Sequence, residues 1–308
     1  MIGMLSSEVT AMVTARYGLG RATNPPVYAA RGELGRIWRL DTEGGTWAVK
    51  EALVPVLEAD AAADVAFQLA VAATGVPLPS PVRTTDGQVT VRGPDAVLRV
   101  YEWVDLDPAA PDPSAADLGD LLARLHRVRH PARGPVGEWF AAPLGPARWT
   151  ALAAKAAKAN AEWAGPLDEH LPELIALDAL VRPPDPAKVR TCHRDLNADN
   201  VRRATGGHLV VLDWENSGPA QPEREFAALL WEVGDAAPAA ARAYGGPPPE
   251  REHFSTAIAV QGHLLEFYGT RALDPTSPAE DRDRATARLD AMLARPLTEK
   301  AIAELRDS

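Results

Sequence analysis

The sequence predicts an α+β protein in two lobes, a small N-terminal lobe with an antiparallel sheet and a helix, and a larger, mainly helical C-terminal lobe. Three observations favour this class. The chain has 308 residues, which is more than one domain usually holds. Residues 27–104 form short extended runs around one helical segment, and from residue 114 onward apolar residues recur mainly at helical spacing.

The segment VYAARGELGRIWRLDTEGGTWAVK, residues 27–50, predicts a β-hairpin with Gly44 and Gly45 as its turn. Gly32 and Gly35 interrupt the first strand, which fits either a β-bulge or a backbone that approaches a ligand closely. Helical spacing follows over residues 54–74 and ends before Gly75 and a proline-rich segment. Two more extended runs, residues 89–92 and 96–104, complete the small α+β unit.

The segment DLDPAAPDPSAAD, residues 105–117, predicts a linker that leads into a helix capped by Ser114, with Asp117 three residues later. Further helices are expected over residues 220–244, 252–273 and 279–305, and residues 208–212 predict a short buried strand. We therefore expect an N-terminal lobe of residues 1–104 and a C-terminal lobe of residues 105–308.

The amino-acid composition limits the kinds of molecule that the protein is expected to bind. The formal net charge of −10 argues against nucleic acid, because phosphate binding needs clustered Lys and Arg. The acidic excess fits a solvated surface, or a cationic small substrate. Cys192 is the only cysteine, no run of about 18 apolar residues predicts a membrane span, and the N-terminus does not resemble a secretory signal. We expect a cytoplasmic protein, and the sequence does not determine its oligomeric state.

The stretch CHRDLNADNVRR, residues 192–203, concentrates His, Asp and Asn in one short loop. Asp and Asn are common turn and cap residues, so the cluster could simply connect two elements. Ten residues later, HLVVLDWEN delivers Asp213 at the end of the predicted buried strand. An acid at a strand end, close after a polar loop, is a common layout of metal sites.

A family resemblance appears when these residues are taken together. The pattern resembles the motifs of the protein-kinase-like superfamily. It consists of Lys50 in WAVK, Asp195 in His-Arg-Asp, Asn200 five residues later and Asp213 at a strand end. Three features favour the small-molecule branch of this superfamily. Residues 213–215 read D-W-E, Asn197 stands where Ser/Thr protein kinases carry Lys, and the chain leaves little room for an activation loop. The chain thus resembles the aminoglycoside phosphotransferase and choline kinase-like family.

The resemblance implies a two-lobed protein-kinase-like fold with a hinge at about residues 101–105 and an ATP-dependent kinase that phosphorylates a small-molecule hydroxyl. By resemblance Asp195 is the catalytic residue, which accepts the proton of the attacking hydroxyl or at least aims that hydroxyl at the γ-phosphorus, and Asn200 and Asp213 bind Mg²⁺. Lys50 holds the α- and β-phosphates of ATP as a point charge. The remaining nucleotide-binding residues implied by the resemblance are Asp64 as the partner of Lys50, Gly32 and Gly35 over the phosphates, and Glu102 and Val104 in the hinge.

Two positions depart from the family pattern. Arg194 stands where the small-molecule branch commonly has glycine, and we expect it to form a local salt bridge. The family places Glu on its first long helix about eleven residues before the Gly of its G-V-P-x-P pattern, and that spacing leads to Asp64, with Glu58 and Asp60 as alternatives. Acids that could face an amine-bearing acceptor are Glu215, Glu225, Glu232, Asp235 and Glu266.

The expected function is therefore phosphate transfer from ATP to a small molecule, with aminoglycosides and other antibiotics as candidate acceptors and antibiotic resistance as a candidate role. A protein Ser/Thr kinase and a non-catalytic nucleotide-binding scaffold are the alternatives. A metal-dependent hydrolase built on His193 and Asp195 is disfavoured, because no second His-rich segment completes a site.

Overall fold

The computed structural model describes residues 5–32 and 35–307. The chain divides into two compact units, and each unit combines two segments that are separated in the sequence. The first unit combines Met1–Ser114 with Asp195–Gly218, and the second combines Ala115–Arg194 with Pro219–Ser308. The lobe boundary expected after residue 104 stays a prediction.

The N-terminal elements alternate between helices and short strands. In chain order they are α1 (Ser7–Tyr17), β1 (Val27–Arg31), β2 (Gly35–Thr42), β3 (Gly45–Ala52), α2 (Glu58–Ala72), β4 (Pro81–Val82), β5 (Val91–Arg92) and β6 (Val97–Glu102).

The later elements are mostly helices. In chain order they are α3 (Ala115–Arg127), α4 (Glu138–Ala141), α5 (Pro146–Lys158), α6 (Ala164–Asp178), β7 (Arg190–Cys192), β8 (Val201–Arg203), β9 (Leu209–Val211), β10 (Gly218–Ala220), α7 (Pro222–Val233), α8 (Ala237–Tyr244), α9 (Ser255–Leu273), α10 (Ala279–Ala294) and α11 (Glu299–Arg306). Short 3₁₀ helices cover Pro186–Lys188, Trp214–Asn216, Gly234–Ala236 and Arg251–Phe254. The predicted α+β class is confirmed.

The sheet of the first unit is antiparallel and has the strand order β1-β2-β3-β6-β4, with β5 also paired to β6. Strands β2 and β3 confirm the predicted hairpin with its turn at Gly44 and Gly45, since they pair antiparallel up to Thr42 and Gly45. The single first strand was wrong, because residues 27–42 form two strands, β1 and β2. The N–H of Gly32 donates to the carbonyl of Gly35 over 2.9 Å and closes the β1–β2 connection. The irregularity in register lies between Tyr28 and Ala30, and not at the glycines.

Helix α1 covers this sheet and was not predicted. Its N-terminus is capped by Ser6, whose hydroxyl accepts the N–H of Val9, and Gly18 ends it with a φ of 65°. Tyr17 is buried, and its hydroxyl donates to the carbonyl of Val89 over 2.9 Å. These contacts tie the helix to the strands whose apolar side chains form the core of the unit, a cluster made of Leu5, Val13, Tyr17, Leu19, Trp38, Leu40, Val49, Val91, Leu98 and Val100.

Helix α2 confirms the helix predicted over residues 54–74. Glu58 in its first turn accepts the N–H groups of Val89 and Thr90 over 2.8 and 3.0 Å, which fixes the start of the helix against the chain that leads into β5. Phe67 meets the edge of the Trp214 ring, with the ring centroids 5.7 Å apart. The helix thereby packs against the segment that follows β9.

The second unit is helical, as predicted. Helix α9 confirms the helix predicted over residues 252–273, whereas the regions predicted over residues 220–244 and 279–305 are each divided into two α-helices. Its core collects Leu144, Trp149, Leu152, Ala156, Trp163, Leu167, Leu174, Leu265, Leu289 and Leu293. Strand β7 pairs with β10 at the edge of this unit. Among the described residues, no helix has both the length and the apolar character needed to cross a membrane.

Candidate active site

Asp195 lies in the loop between β7 and β8, and three amide groups hold its carboxylate. The side-chain nitrogen of Asn197 donates to one oxygen over 3.0 Å, and those of Asn200 and Asn216 donate to the other oxygen, each over 3.0 Å. Because the donors are neutral, they orient both oxygens without adding positive charge. Asn216 was not singled out from the sequence, where an Asn after D-W-E carries no signal of its own.

The loop itself is shaped by Asn197. Its side-chain oxygen accepts the N–H groups of Asp199 and Asn200 over 2.9 and 3.1 Å, which is the bonding of an Asx turn. The prediction of a turn in this segment is therefore confirmed, and the turn gathers polar groups around Asp195. The catalytic role of Asp195 stays a prediction.

The β8–β9 hairpin brings Asn200 and Asp213 to the same end. Val201 pairs with Val211, and the N–H of Leu212 donates to the carbonyl of Asn200 over 2.8 Å. Asp213 follows at once with a φ of 53°, in the left-handed region, and begins the 3₁₀ turn Trp214–Asn216. A non-glycine residue in this region is uncommon, and such residues cluster at functional sites.

Lys50 on β3 reaches the acids of this turn. Its Nζ lies 2.9 Å from Oδ1 of Asp213 and 2.8 Å from Oε2 of Glu215, and its side chain is 12% exposed. Burial lowers the pKa of Lys50, but the charges of Asp213 and Glu215 outweigh burial, so the pKa lies above its usual value. The ammonium group is thus firmly charged and fixed between two carboxylates.

The partner assigned to Lys50 from spacing was wrong in this structure, because Asp64 pairs with Arg99. The two guanidinium nitrogens of Arg99 lie 2.5 and 3.0 Å from the Asp64 oxygens, and Gln68 donates to Asp64 over 3.0 Å. Burial raises the pKa of Asp64 to about 6, although Arg99 opposes that rise. A role for Asp64 in nucleotide binding stays a prediction. Of the two alternatives, Glu58 caps backbone N–H groups and Asp60 is exposed.

Lys50 and the backbone of Glu51 lie close to Gly35. A Cβ at Gly35 would lie 2.9 Å from Cε of Lys50 and 3.0 Å from the carbonyl oxygen of Glu51, so a side chain there would displace Lys50. A Cβ at Gly32 would meet nothing within 4 Å. Residues 33 and 34, between the two glycines, lie outside the described residues, and contact of Gly32 and Gly35 with phosphates stays a prediction.

The segment predicted as the hinge, residues 101–105, begins at the end of strand β6. The N–H of Glu102 donates to the carbonyl of Ser80 over 2.8 Å, and that of Trp103 to the carbonyl of Thr46 over 3.1 Å. Two donors of the predicted base-contacting segment are thus used within the first unit. Contact of the base with Glu102 and Val104 stays a prediction.

In the second unit Glu225 braces the backbone before Asp195. Its Oε1 accepts the N–H of Arg194 over 2.5 Å, and its Oε2 lies 2.9 Å from Nε2 of His126. Ligand atoms of His126, Cys192 and Glu225 lie within 4.8 Å of one another. Since His126 also bonds Tyr244 over 2.9 Å, this cluster is accounted for as a hydrogen-bond network.

Arg194 takes a φ of 66°, in the left-handed region that glycine adopts without strain. Its guanidinium lies 4.2 Å from the centroid of the Phe140 ring, so an aromatic face contacts it. The local salt bridge expected for Arg194 stays a prediction. Burial lowers the pKa of Arg194 to about 10, with the charge of Glu225 opposing that change.

Three of the acids considered as contacts for a cationic acceptor have other partners. Glu215 pairs with Lys50 and Arg99, Glu225 bonds His126 and the backbone of Arg194, and Glu266 pairs with Arg148. Acceptor contact by Glu232 and Asp235 stays a prediction. The sequence missed Arg99 as a member of the site, because only the pairing of β3 with β6 brings it to Lys50.

A family model described as the phosphotransferase enzyme family matches residues 28–254. Among curated proteins no sequence matches significantly.

Solved structures match almost the whole chain at low identity. A spectinomycin phosphotransferase, solved with ADP and spectinomycin, is 12% identical with a TM-score of 0.69, over 98% of this chain and 97% of that one. An amicoumacin kinase in complex with AMP-PNP and Ca²⁺ is 14% identical with a TM-score of 0.64, over 97% of each chain. A microcompartment-associated aminopropanol kinase is 16% identical with a TM-score of 0.62, over 96% and 98%. At these identities the likeness establishes the protein-kinase-like fold.

Proposed function

Because this chain belongs to the phosphotransferase enzyme family, we propose that it transfers the γ-phosphate of ATP to a hydroxyl group of a small molecule. The observation that carries this proposal is the joint placement of a buried Lys50 on the Asp213 carboxylate and of Asp195 in its clamp of three amides. These are the charges and acceptors that a phosphoryl transfer needs, and they lie in one unit.

In the proposed reaction the acceptor oxygen attacks the γ-phosphorus, the bond from that phosphorus to the β–γ bridging oxygen breaks, and ADP leaves. Asp195 accepts the proton of the attacking hydroxyl, and its three amide donors aim the carboxylate. Lys50 places a positive charge against the α- and β-phosphates. The protein thereby contributes position and charge, which is most of what phosphoryl transfer asks of it.

Asn200 and Asp213 fit a divalent cation such as Mg²⁺. Both offer side-chain oxygens, the ligands that Mg²⁺ prefers, at the same end of the β8–β9 hairpin. The amide nitrogen of Asn200 donates to the backbone and the carboxylate of Asp195, over 2.9 and 3.0 Å, which leaves its oxygen as the group that can coordinate. Bound there, the cation would neutralise charge on the phosphates.

We infer the class of acceptor from two observations, the names of similar enzymes and the net charge of the chain. The family's solved relatives include enzymes named for spectinomycin, amicoumacin and aminopropanol, and the net charge of −10 favours a cationic molecule. We therefore place a cationic hydroxyl compound first among acceptors, with aminoglycosides and other antibiotics in that group. Antibiotic resistance and a cytoplasmic location are part of the same proposal.

The test is ADP release from MgATP against a panel of aminoglycosides, macrolides, peptide antibiotics, choline, sugars and amino alcohols. Acceptor-dependent release should fall by about 10²- to 10⁴-fold in Asp195→Ala, since that is the range attributed to a positioned general base. Asp199→Ala is the matched control, because Asp199 is an exposed carboxylate in the same loop, and it should keep activity.

The alternatives would be revealed by other outcomes. Phosphate on a protein acceptor and on none of the small molecules would identify a protein kinase. Nucleotide binding without release in any condition would identify a scaffold, and both results contradict the proposal.

A further inference from the structure

Two cations face each other across neighbouring strands of the first unit. Lys50 on β3 and Arg99 on β6 are directly paired in the antiparallel register. Side chains at such positions have Cβ atoms only about 4.5–5.5 Å apart, and like charges there destabilise a sheet. The Arg99 side chain is 3% exposed and that of Lys50 12%, so water does little to screen them. The pair can persist only where carboxylates face both cations.

Glu215 is the acid that contacts both of them. Its Oε2 lies 2.8 Å from Nζ of Lys50, and its Oε1 lies 3.5 Å from a guanidinium nitrogen of Arg99, with the side chain 13% exposed. Arg99 in turn binds both oxygens of Asp64 on α2. A continuous chain of contacts therefore runs from α2 through Asp64, Arg99 and Glu215 to Lys50.

The backbone under Glu215 is fixed as well. Glu215 sits in the 3₁₀ turn Trp214–Asn216, and the indole N–H of Trp214 donates to the carbonyl of Val211 over 3.0 Å. The Trp214 ring packs on Phe67 of α2. The turn that contains Glu215 thus contacts both helix α2 and strand β9 of the β8–β9 hairpin, and these contacts fix the position of its carboxylate.

Asp213, the other partner of Lys50, is the residue proposed to bind a cation. A carboxylate engaged with a divalent cation attracts Lys50 less strongly, and Glu215 is not among the residues proposed to bind the cation. Lysine is a point charge on a flexible four-carbon stem and needs a fixed anion to hold its direction.

We propose that Glu215 is the positioning residue that holds Lys50 for nucleotide binding, and that Arg99 relays this fixation from Asp64 on α2. In this chain the helix acid acts on Lys50 through a guanidinium and a second carboxylate, where the family pattern has the helix acid contact the lysine itself. The inference rests on the proposed function, since it assigns Lys50 to the nucleotide.

The test is a double-mutant cycle on the affinity for AMP-PNP with Mg²⁺, measured by calorimetry on the full chain. Glu215→Gln should weaken binding by about tenfold, within the range measured for residues in direct contact. Lys50→Met should weaken it at least as much, and the double variant should bind no more weakly than Lys50→Met alone. In turnover, Glu215→Gln should raise the KM for ATP and leave the KM for the acceptor unchanged.

Glu51→Gln is the matched control. Glu51 is the residue next to Lys50, and its side chain is 18% exposed, similar to that of Glu215. Its carboxylate binds Arg36 and the indole N–H of Trp38. Its side chain points to the opposite face of the strand, so its loss should leave nucleotide affinity unchanged. If Glu215→Gln does not fold, Glu215→Asp replaces it in the cycle, because it keeps the charge and withdraws it by one methylene.

Each outcome decides the inference. Fully additive losses, or unchanged affinity in a folded Glu215 variant, would overturn it while leaving the proposed function in place. If the wild-type chain bound no nucleotide, the proposed function would fall and the inference with it.

Discussion

Arg194 carries backbone strain directly beside the proposed catalytic residue. Its φ of 66° lies in the region where a side chain costs about 1–2 kcal/mol. Two bonds keep it there: the N–H of Arg194 donates to Glu225, and the guanidinium lies over Phe140. The family's usual glycine would take this conformation without strain. Strain of this kind is maintained only where the surroundings determine the backbone, which is typical of functional loops.

We expect Arg194→Gly to be more stable than Arg194→Ala by about 1 kcal/mol, because both lose the same side-chain contacts and only alanine keeps the strained Cβ. The free energies of unfolding in urea give the comparison. Equal stability of the two variants, or a more stable alanine variant, would show that the loop relaxes and that the strain is absent.

Single residues also mark the limit of sequence reasoning at the site. Lys50, Asp195, Asn200 and Asp213 could be picked out because short motifs surround them. Arg99 could not, because VLRVYEWV is an ordinary strand pattern until its register with β3 is known. Spacing along the chain led to Asp64 as an important acid, but the ion pairs of the folded unit, and not spacing, assign its partner.

At the scale of elements, Glu225 links helices α3 and α7 to the loop before Asp195. Burial is the largest influence on Glu225 and raises its pKa. The hydrogen bond from His126, the charges of His126 and His193 and the N–H of Arg194 together hold the pKa below its ordinary value of 4.5. Cys192 lies beside the same carboxylate. Since this pKa is lower in the folded chain, acid protonates Glu225 in the unfolded chain first.

The stabilisation from Glu225 is therefore present above about pH 4.5 and is lost as the pH falls through the folded-state pKa. We expect the free energy of unfolding to fall more steeply from pH 5 to pH 3 in the wild-type chain than in Glu225→Gln. Urea midpoints measured at several pH values give both slopes. Parallel slopes would show that Glu225 does not titrate with folding.

Helices α3 and α8 approach each other closely at Gly119. A Cβ there would lie 2.2 Å from the carbonyl oxygen of Ala240, a backbone atom that cannot move independently. We expect Gly119→Ala to lower the free energy of unfolding by about 1–3 kcal/mol, the usual range for overpacking.

The matched control is Gly165→Ala on α6, where an added Cβ meets nothing within 4 Å. That variant should be neutral or more stable by up to about 1 kcal/mol, because alanine favours helix over glycine. Thermal unfolding of both variants tests the packing. A stable Gly119→Ala variant would mean that the two helices can separate at little cost.

Elements with strong periodicity were predictable, and short irregular ones were not. Helices α2 and α3 and strand β9 follow from apolar spacing and end signals. The split of the first predicted strand into β1 and β2 was missed, because alternation continues on both sides of a very short turn. Helix α1 was missed as well.

At the scale of the whole molecule, one compact unit gathers all the predicted site residues. Lys50 comes from the first 114 residues, and Asp195, Asn200 and Asp213 from the segment Asp195–Gly218 of the same unit. The sequence predicts the fold class and the residues of this site through a family resemblance. It cannot predict which distant segments join in one unit, because that depends on contacts between residues far apart in the chain.

The proposed phosphorylation of a small-molecule hydroxyl, with Asp195 as the proton acceptor, can be observed directly. The most direct measurement is ³¹P NMR of a reaction with MgATP and an acceptor that stimulates ADP release, run beside Asp195→Ala. We expect a phosphate monoester that grows in step with ADP in the wild-type chain and is suppressed in the variant. A monoester formed equally well by a folded Asp195→Ala variant, or inorganic phosphate as the only new product, would contradict the proposal.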